Sequence, residues 1–480
     1  MFRDPMDAIL HRNVTRLAQA SMGRALFSLA LPIVLSNTLV TSHQLINALW
    51  LGRLGAGAVA AVSISFPIVF LLAALGGGVV VASSILVSQY AGARAQAAVN
   101  HVSAQTLLVV LAVSFLLSAI GYISVHPLLR LMGVGSDIFA DAARYMRVSI
   151  LGIAFMFTFS MFQSIVLGTG ETKVPLYVIA ASVVLNLILD PLFIFGWGPI
   201  PRGGVVGAAY ATLVTEGLAA IVGFRILFGS HYAVRLRFED FLPNLVLVKR
   251  IFWLGLPASI EQSSGALGMT VLTGLVSHFG TTAIAAYGIG FRVVILALIP
   301  AGGISMATGT LVGQGLGAGN PARARQTAVV SARYAFGILA VVAVPVFAGA
   351  TGIVRFLVPT DSAVISEGGR VVRAMAVALG FIGIEMSLIG AIRGAGDTLM
   401  PMVLTIVSLW VIQIPAAYVL SNYTSLGEQG LWYSFPISAV ATALLTILWF
   451  NTRRWGPVIR TEQGAVSTPL TPSAGAREMI

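Results

Sequence analysis

Hydrophobic positions in this chain come in long runs, not in stripes. Twelve segments, at 25–51, 57–88, 104–126, 144–168, 173–196, 205–228, 249–278, 283–314, 327–350, 368–392, 398–421 and 430–452, each carry enough apolar residues to cross a bilayer, which takes about 20 residues of helix. The pattern predicts an all-α polytopic membrane protein of twelve transmembrane helices. Four acids interrupt the runs: Asp190 in the fifth, Glu216 in the sixth, Glu261 in the seventh and Glu385 in the tenth. A charge at the centre of a spanning helix costs about 2.5–3.5 kcal/mol on insertion scales, so such residues are expected to face a cavity or a partner.

The runs repeat. Adding 225 to a position in the first half lands on its twin: Leu31 and Pro32 on Leu256 and Pro257, Gly55 on Gly280, Phe66 on Phe291, Gly77 and Gly78 on Gly302 and Gly303, Gln89 on Gln314. With an offset of 226, Gly168-Thr169-Gly170-Glu171-Thr172 meets Gly394-Ala395-Gly396-Asp397-Thr398, and with 223, Gly204 and Gly207 meet Gly427 and Gly430. A unit of six spans is even, so both copies enter the membrane from one side and are related by a pseudo-two-fold axis along its normal. The expected division is a cytoplasmic lead-in at 1–23, a first lobe at 24–228, a cytoplasmic linker at 229–248, a second lobe at 249–455 and a disordered tail at 456–480. Two such lobes enclose a cleft suited to alternating access.

Composition agrees. The chain is 57% hydrophobic and 9% charged, with mean hydropathy +0.93, far from a soluble domain in which roughly a quarter of residues are charged. It has no Cys, so neither disulfides nor a structural zinc site is expected. The net charge of +11 lies in turns between runs, without a basic stripe carrying aromatics, which points to anionic lipid as partner and not to nucleic acid. Basic residues favour alternate turns, at Arg94, Lys173, Arg235, Arg237, Lys249, Arg250, Arg323, Arg325, Arg393, Arg453, Arg454 and Arg460; positive-inside bias then puts both termini in the cytoplasm. No GxxxxGK[ST] phosphate loop is present, so ATP hydrolysis is not the energy source.

Candidate chemistry concentrates in Val183–Gly207. Asn186 and Asp190 lie four residues apart and project from one helix face. Pro191 follows and removes the donor for the Leu187 carbonyl, predicting a bend beside the two polar side chains. Thr212 and Glu216 repeat the spacing in the sixth span, as do His43 and Asn47 in the first. The expectation is one buried cluster of Asn47, Asn186, Asp190 and Thr212 with Glu216 and His43 at its margin, able to hold a proton, or a sodium ion at Asp190, Asn186 and Thr212. For Thr212 the competing reading is a hydroxyl bonded back to its own helix. In the second lobe Glu261 and Glu385 are substrate-cavity candidates with His43, and Arg292 is either a further cavity residue or their counter-ion. At offset 226, Ile412 and Ala416 stand where Asn186 and Asp190 do, so this chemistry belongs to one lobe.

Over 20–455 the chain resembles the multidrug and toxic compound extrusion transporters of prokaryotic type. The resemblance rests on the duplicated twelve-span layout, LPIVLSNTLVTSHQLINALWLGRLG in the first span, the GTGETKVP and RGAGDTLMP turns, and NLILDPLFIF followed by GVVGAAYAT. It implies secondary active antiport: efflux of organic, often cationic, compounds across the inner membrane against protons or sodium, by a non-enzymatic monomer with no cofactor beyond the coupling ion. It also implies a first-lobe cation site at Asn186, Asp190 and Thr212, with Asn47 standing where the family often has Asp, and second-lobe acids on the helices of Glu261 and Glu385. The alternative within the wider superfamily is a lipid-linked oligosaccharide flippase, which needs a cleft rich in Arg and Lys; Arg292 is thin support for it.

Overall fold

All twelve runs are helical, and each helix extends beyond its apolar run at one or both ends in most cases. A computed structural model describes residues 5–198, 201–229, 232–453 and 455–456; Arg454, Arg460 and the expected tail beyond Gly456 lie outside them. An N-terminal helix α1 (Pro5–Gln19) leads into the first lobe, formed by α2 (Met22–Leu54), α3 (Ala56–Gly92), α4 (Gln96–Leu131), α5 (Ser136–Gly168), α6 (Lys173–Phe195) and α7 (Gly204–Phe228). The second lobe contains α8 (Leu245–Ser277), α9 (Thr281–Gly317), α10 (Pro321–Ala348), the short α11 (Ala350–Leu357) and α12 (Ser362–Gly394). The eleventh span is split into α13 (Leu399–Ile406), a π-helical stretch Val407–Gln413 and α14 (Ile414–Asn422), and α15 (Glu428–Thr452) closes the lobe. Among the described residues eleven spans are long and apolar enough to cross a membrane. The twelfth, α8, is as long as α2 but carries Lys249, Arg250, Glu261 and Gln262.

Local chemistry sets the ends. Asn244, Asn320 and Asp361 accept N–H bonds from Leu247, Arg323 and Ala363 and so cap α8, α10 and α12, satisfying donors that a helix start leaves orphaned. The turns after α2 and α8 are made by the twin glycines Gly55 and Gly280, at φ 107° and 95°, a region that side chains with a Cβ avoid. The linker is short of secondary structure but tied down: Gln105 Nε2 donates to the carbonyls of Asp240 and Leu242, and Gln96 Nε2 to that of Ala233. Helix α6 runs unbroken through Pro191. The departure from α geometry lies in its twin, the π-helical stretch of the eleventh span.

The lobes meet through small residues, and the contacts exchange under the repeat. A Cβ on Gly78 of α3 would strike the backbone of Gly255 and Ser259 in α8; one on its twin Gly303 of α9 would strike Ala30 and Val34 in α2. Ala30 is the twin of Gly255 at offset 225. Likewise Gly77 faces Gln262, and Gly302 faces Asn37, the twin of Gln262. A two-fold operation therefore swaps the partners, as an axis along the membrane normal requires. Glycine and alanine allow this backbone approach where no hydrophobic force favours one apolar helix over lipid. Leu17, Leu26, Leu29, Leu167, Ile304 and Ala335 close a core shared by α1 and both lobes at the same end of the molecule.

Candidate functional site

Helices α2, α6 and α7 bring the first-lobe polar residues together. Asp190 is fully buried and Asn186 is 4% exposed, one above the other on the inner face of α6. From α2, His43 Nε2 reaches to 2.8 Å from the Asn186 amide and 3.5 Å from Asp190 Oδ2. From α7, Thr215 Oγ1 lies 2.7 Å from the other side of that amide. The amide orientation that satisfies all groups turns Nδ2 towards Asp190, where it donates to Oδ1 at 2.8 Å and Oδ2 at 3.0 Å and to His43 Nε2 at 2.8 Å, while Oδ1 accepts from Thr215. In this orientation both carboxylate oxygens and His43 Nε2 act as acceptors. Turned the other way, the amide oxygen faces His43 Nε2 and the amide nitrogen donates to Thr215.

Two expectations change here. Thr212 does not join the cluster: its hydroxyl donates to the carbonyl of Ala208 in its own helix at 3.1 Å, and Thr215 takes the place beside Asn186. The reason is helix phase, because Gly207, whose Cβ would collide with the Phe193 carbonyl of α6, together with Ala211 and Thr215 falls on the face that packs against α6, and Thr212 falls off it. His43, expected at the margin, is a direct partner. Asn47, one turn further along α2, has a buried Oδ1 without a hydrogen bond, and among the described residues no hydrogen bond joins it to Asp190. Glu216 stays at the margin, opposite Gly152 of α5 and in electrostatic range of His43.

In the second lobe the acids differ from each other. Glu261 Oε1 accepts from Arg393 Nη2 at 2.5 Å and from Thr405 Oγ1 at 3.1 Å; the acid is buried and Arg393 is about a quarter exposed. The counter-ion of Glu261 is therefore Arg393 and not Arg292, which is exposed on α9. Glu385 instead lines a cavity of about 260 Å³ walled by Tyr287, Phe291, Phe435, Met269 and Gln413. Leu409, Ser408 and Gln413 of the π-helical stretch face the same space. π-helical bulges frequently mark functional positions, since the wider turn re-aims side chains. A second cavity, of about 280 Å³, lies between the lobes, with Ser84, Ser160 and Gln163 on one wall and Ser305 and Arg393 on the other. Its basic residue is already paired. Of the phenylalanines crowded in the fourth span, Phe157 and Phe162 are buried in the first-lobe core.

Thr215 and the buried Glu367 are not marked by the sequence pattern, and Arg393 is marked there only as a basic turn residue. Glu367 accepts from Trp432 Nε1 at 2.6 Å and from Arg370 at 3.0 Å, a structural tie between α12 and α15. For Arg393 a signal existed, since it stands where the repeat places the apolar Leu167.

Comparison with known proteins agrees with this architecture. The MatE family model matches residues 32–192 and again 257–419, two copies that begin 225 residues apart. A probable multidrug resistance protein, YoeA of Bacillus subtilis, is 31% identical over 91% of this chain and 95% of its own length. An FAD transporter of Shewanella oneidensis is 27% identical over 88% and 93%. Among solved structures, a multidrug resistance MATE family transporter in an outward-facing conformation superposes with a TM-score of 0.86 at 25% identity, over 91% of this chain and 96% of that one. A MOP superfamily transporter from Pyrococcus furiosus, described as having a binding pocket of reverse polarity, does so with a TM-score of 0.86 at 26% identity, over 91% and 96%. With the duplicated match covering most of the spans, the chain belongs to the MatE family of membrane transporters.

Proposed function

We propose that the protein is a secondary multidrug exporter that releases organic cations in exchange for protons by alternating access. The observation that carries the reading is Asp190: a carboxylate wholly buried in a spanning helix, with no Lys or Arg in salt-bridge contact among the described residues, held by an amide and an imidazole. An acid kept at membrane depth at such cost, beside a second titratable group, is suited to take up and release a proton. Protonation of Asp190 turns its carboxyl into a donor, which favours the opposite amide orientation of Asn186, in which Thr215 Oγ1 accepts from Asn186 Nδ2 and its own proton goes to the α7 carbonyls of Ala211 and Thr212. The ion is thereby felt in α7 as well as α6. Sodium is served less well, because Thr212 lies off the face of α7 that meets Asn186, and Asn186 directs Nδ2 and not Oδ1 at the carboxylate.

The second-lobe cavity supplies what an organic cation needs: aromatic faces at Tyr287, Phe291 and Phe435, adaptable Met269 and one carboxylate, Glu385. The flippase alternative gains no basic cleft, since Arg393 is neutralised by Glu261 and Arg292 is not its companion. We place the protein in the cytoplasmic membrane as a monomer, with the α1 end inside because the basic turns gather there. The lobes touch at that end, so the cleft faces outward. The test is pH-gradient-driven transport of a fluorescent organic cation in vesicles: Asp190→Asn is expected to abolish the driven component, and undiminished driven transport overturns the assignment. Transport that follows sodium at fixed pH overturns the proton.

A further inference from the structure

Twin glutamines bind the lobes together at the α1 end. Gln89, near the end of α3, is fully buried and donates from Nε2 to the carbonyl of Gly394, the last residue of α12, at 3.0 Å. Gln314, near the end of α9, is 5% exposed and donates from Nε2 to the carbonyl of Gly168, the last residue of α5, at 2.8 Å. The glutamines are related by the repeat offset of 225 and the glycines by 226. The two bonds are thus one bond applied twice by the pseudo-two-fold, and each runs from one lobe to the other.

The surroundings make the pairing specific. Both acceptors are carbonyls from the last turn of a helix, which has no further helical N–H to offer them, and both donors are buried amides that are costly to leave unpaired. A Cβ on Gly92 would collide with the backbone of Gln314, one on Gly317 with that of Gln89, and one on Gly394 with that of Gly309. Directly beside the pair lies the inter-lobe cavity, with Leu167, Gly309, Arg393 and Gly394 in its wall. Helix α1 crosses the same seam: Arg323 of the second lobe donates to the carbonyls of Leu17 and Ala20 at 3.0 Å, and Arg94 of the first to Thr15 Oγ1 at 3.2 Å.

We propose that Gln89 and Gln314 are the paired gating residues of the transport cycle: their two inter-lobe hydrogen bonds seal the α1 end of the cleft, and both break when it opens to that side. The proposal rests on the alternating-access reading above but not on the identity of the ion or the role of Asp190. Opening the seam admits water to all four groups, so the two hydrogen bonds add only their net value to the packing that favours the closed form. A bound ion or substrate can outweigh that difference. Each lobe contributes one donor and one acceptor, so removing either glutamine removes half of the seal.

The natural chain has no cysteine, which permits site-directed spin labels without background. One pair, Ala97→Cys with Ala322→Cys, sits exposed in the first turns of α4 and α10 at the α1 end; a second, Arg53→Cys with His278→Cys, sits exposed at the opposite end. Inter-label distances are measured by pulsed electron resonance in lipid nanodiscs, for the parent, Gln89→Ala, Gln314→Ala and the double variant. The population of the long α1-end distance is expected to rise about fivefold in either single variant and roughly twentyfold in the double, with reciprocal shortening at the opposite end. Unchanged distributions overturn the proposal. Broadening at both ends without reciprocity, the mark of a loosened fold, overturns it as well. If the double variant does not fold, the two single variants decide, since each keeps one bond. Because the readout needs neither gradient nor substrate, an active Asp190→Asn variant leaves this result standing, and an unchanged distance in the glutamine variants leaves the Asp190 assignment standing.

Discussion

The first lobe holds Asp190 between an imidazole and an amide, whereas the second holds Glu261 against the guanidinium of Arg393. Both acids are buried and sit on duplicated scaffolds, yet only the first has a partner that can itself gain or lose a proton. Arg393 carries a permanent charge, whereas an imidazole such as that of His43 exists in charged and neutral forms. The helix pairs behind them differ in the same sense. Between α6 and α7 the amide of Asn186 links to Thr215, whereas in the twin pair Ser408 of the π-helical stretch meets Ser438 and Thr442 of α15 at 3.1 and 2.7 Å, a hydroxyl chain with no ionisable member. One lobe holds its buried acid beside an imidazole and an amide, and in the other Glu385 opens onto an aromatic cavity.

The largest test of this division is to exchange the two kinds of acid for amides. Asp190→Asn is expected to lower gradient-driven export at least tenfold while leaving thermal unfolding in detergent close to the parent, because the neutral amide keeps the shape and one oxygen that accepts from Asn186. Glu261→Gln is expected to do the reverse. It strands a largely buried guanidinium and so destabilises the protein by about 3 kcal/mol, read as a lowered unfolding midpoint, while driven export per folded molecule persists. If the stability losses were equal, the contrast between the lobes would collapse.

Glu385→Gln comes next. Loss of the single carboxylate in the aromatic cavity is expected to weaken binding of a monovalent organic cation about tenfold and to leave a neutral analogue nearly unaffected, measured by fluorescence titration. Equal losses for both ligands would remove Glu385 from cation recognition. The smallest effect separates neighbours on one helix: Thr215→Val is expected to cost about 1 kcal/mol through the lost bond to Asn186, with a matching shift in the pH profile of export, whereas Thr212→Val leaves that profile unchanged. A profile that moves with Thr212 instead would restore the assignment made from spacing alone.

Much of this was legible in the chain itself. The twelve runs needed only apolar length, and the repeat at 225–226 carried its own symmetry, which Gly78 with Gly255 and Gly303 with Ala30 repeat in three dimensions. Asp190 and Asn186 could be read as a pair because four residues is a helical turn. The second-lobe counter-ion could not, since Arg393 lies 132 positions from Glu261 and nothing local says which basic residue a helix will meet. Thr212 failed for a narrower reason: the fourfold spacing to Glu216 fixes a face, but not the direction in which that face points.

Sequence by itself therefore determined the number of spans, the duplicated architecture and the asymmetry of the ionisable residues, because hydrophobic length and burial cost are properties of each segment alone. Tertiary structure decided the rotation of each helix about its axis. That rotation follows from backbone contact at glycines such as Gly207 against the Phe193 carbonyl, and it is what set Thr215 rather than Thr212 beside Asn186, brought His43 onto Asp190, and aimed two glutamines across the seam between the lobes.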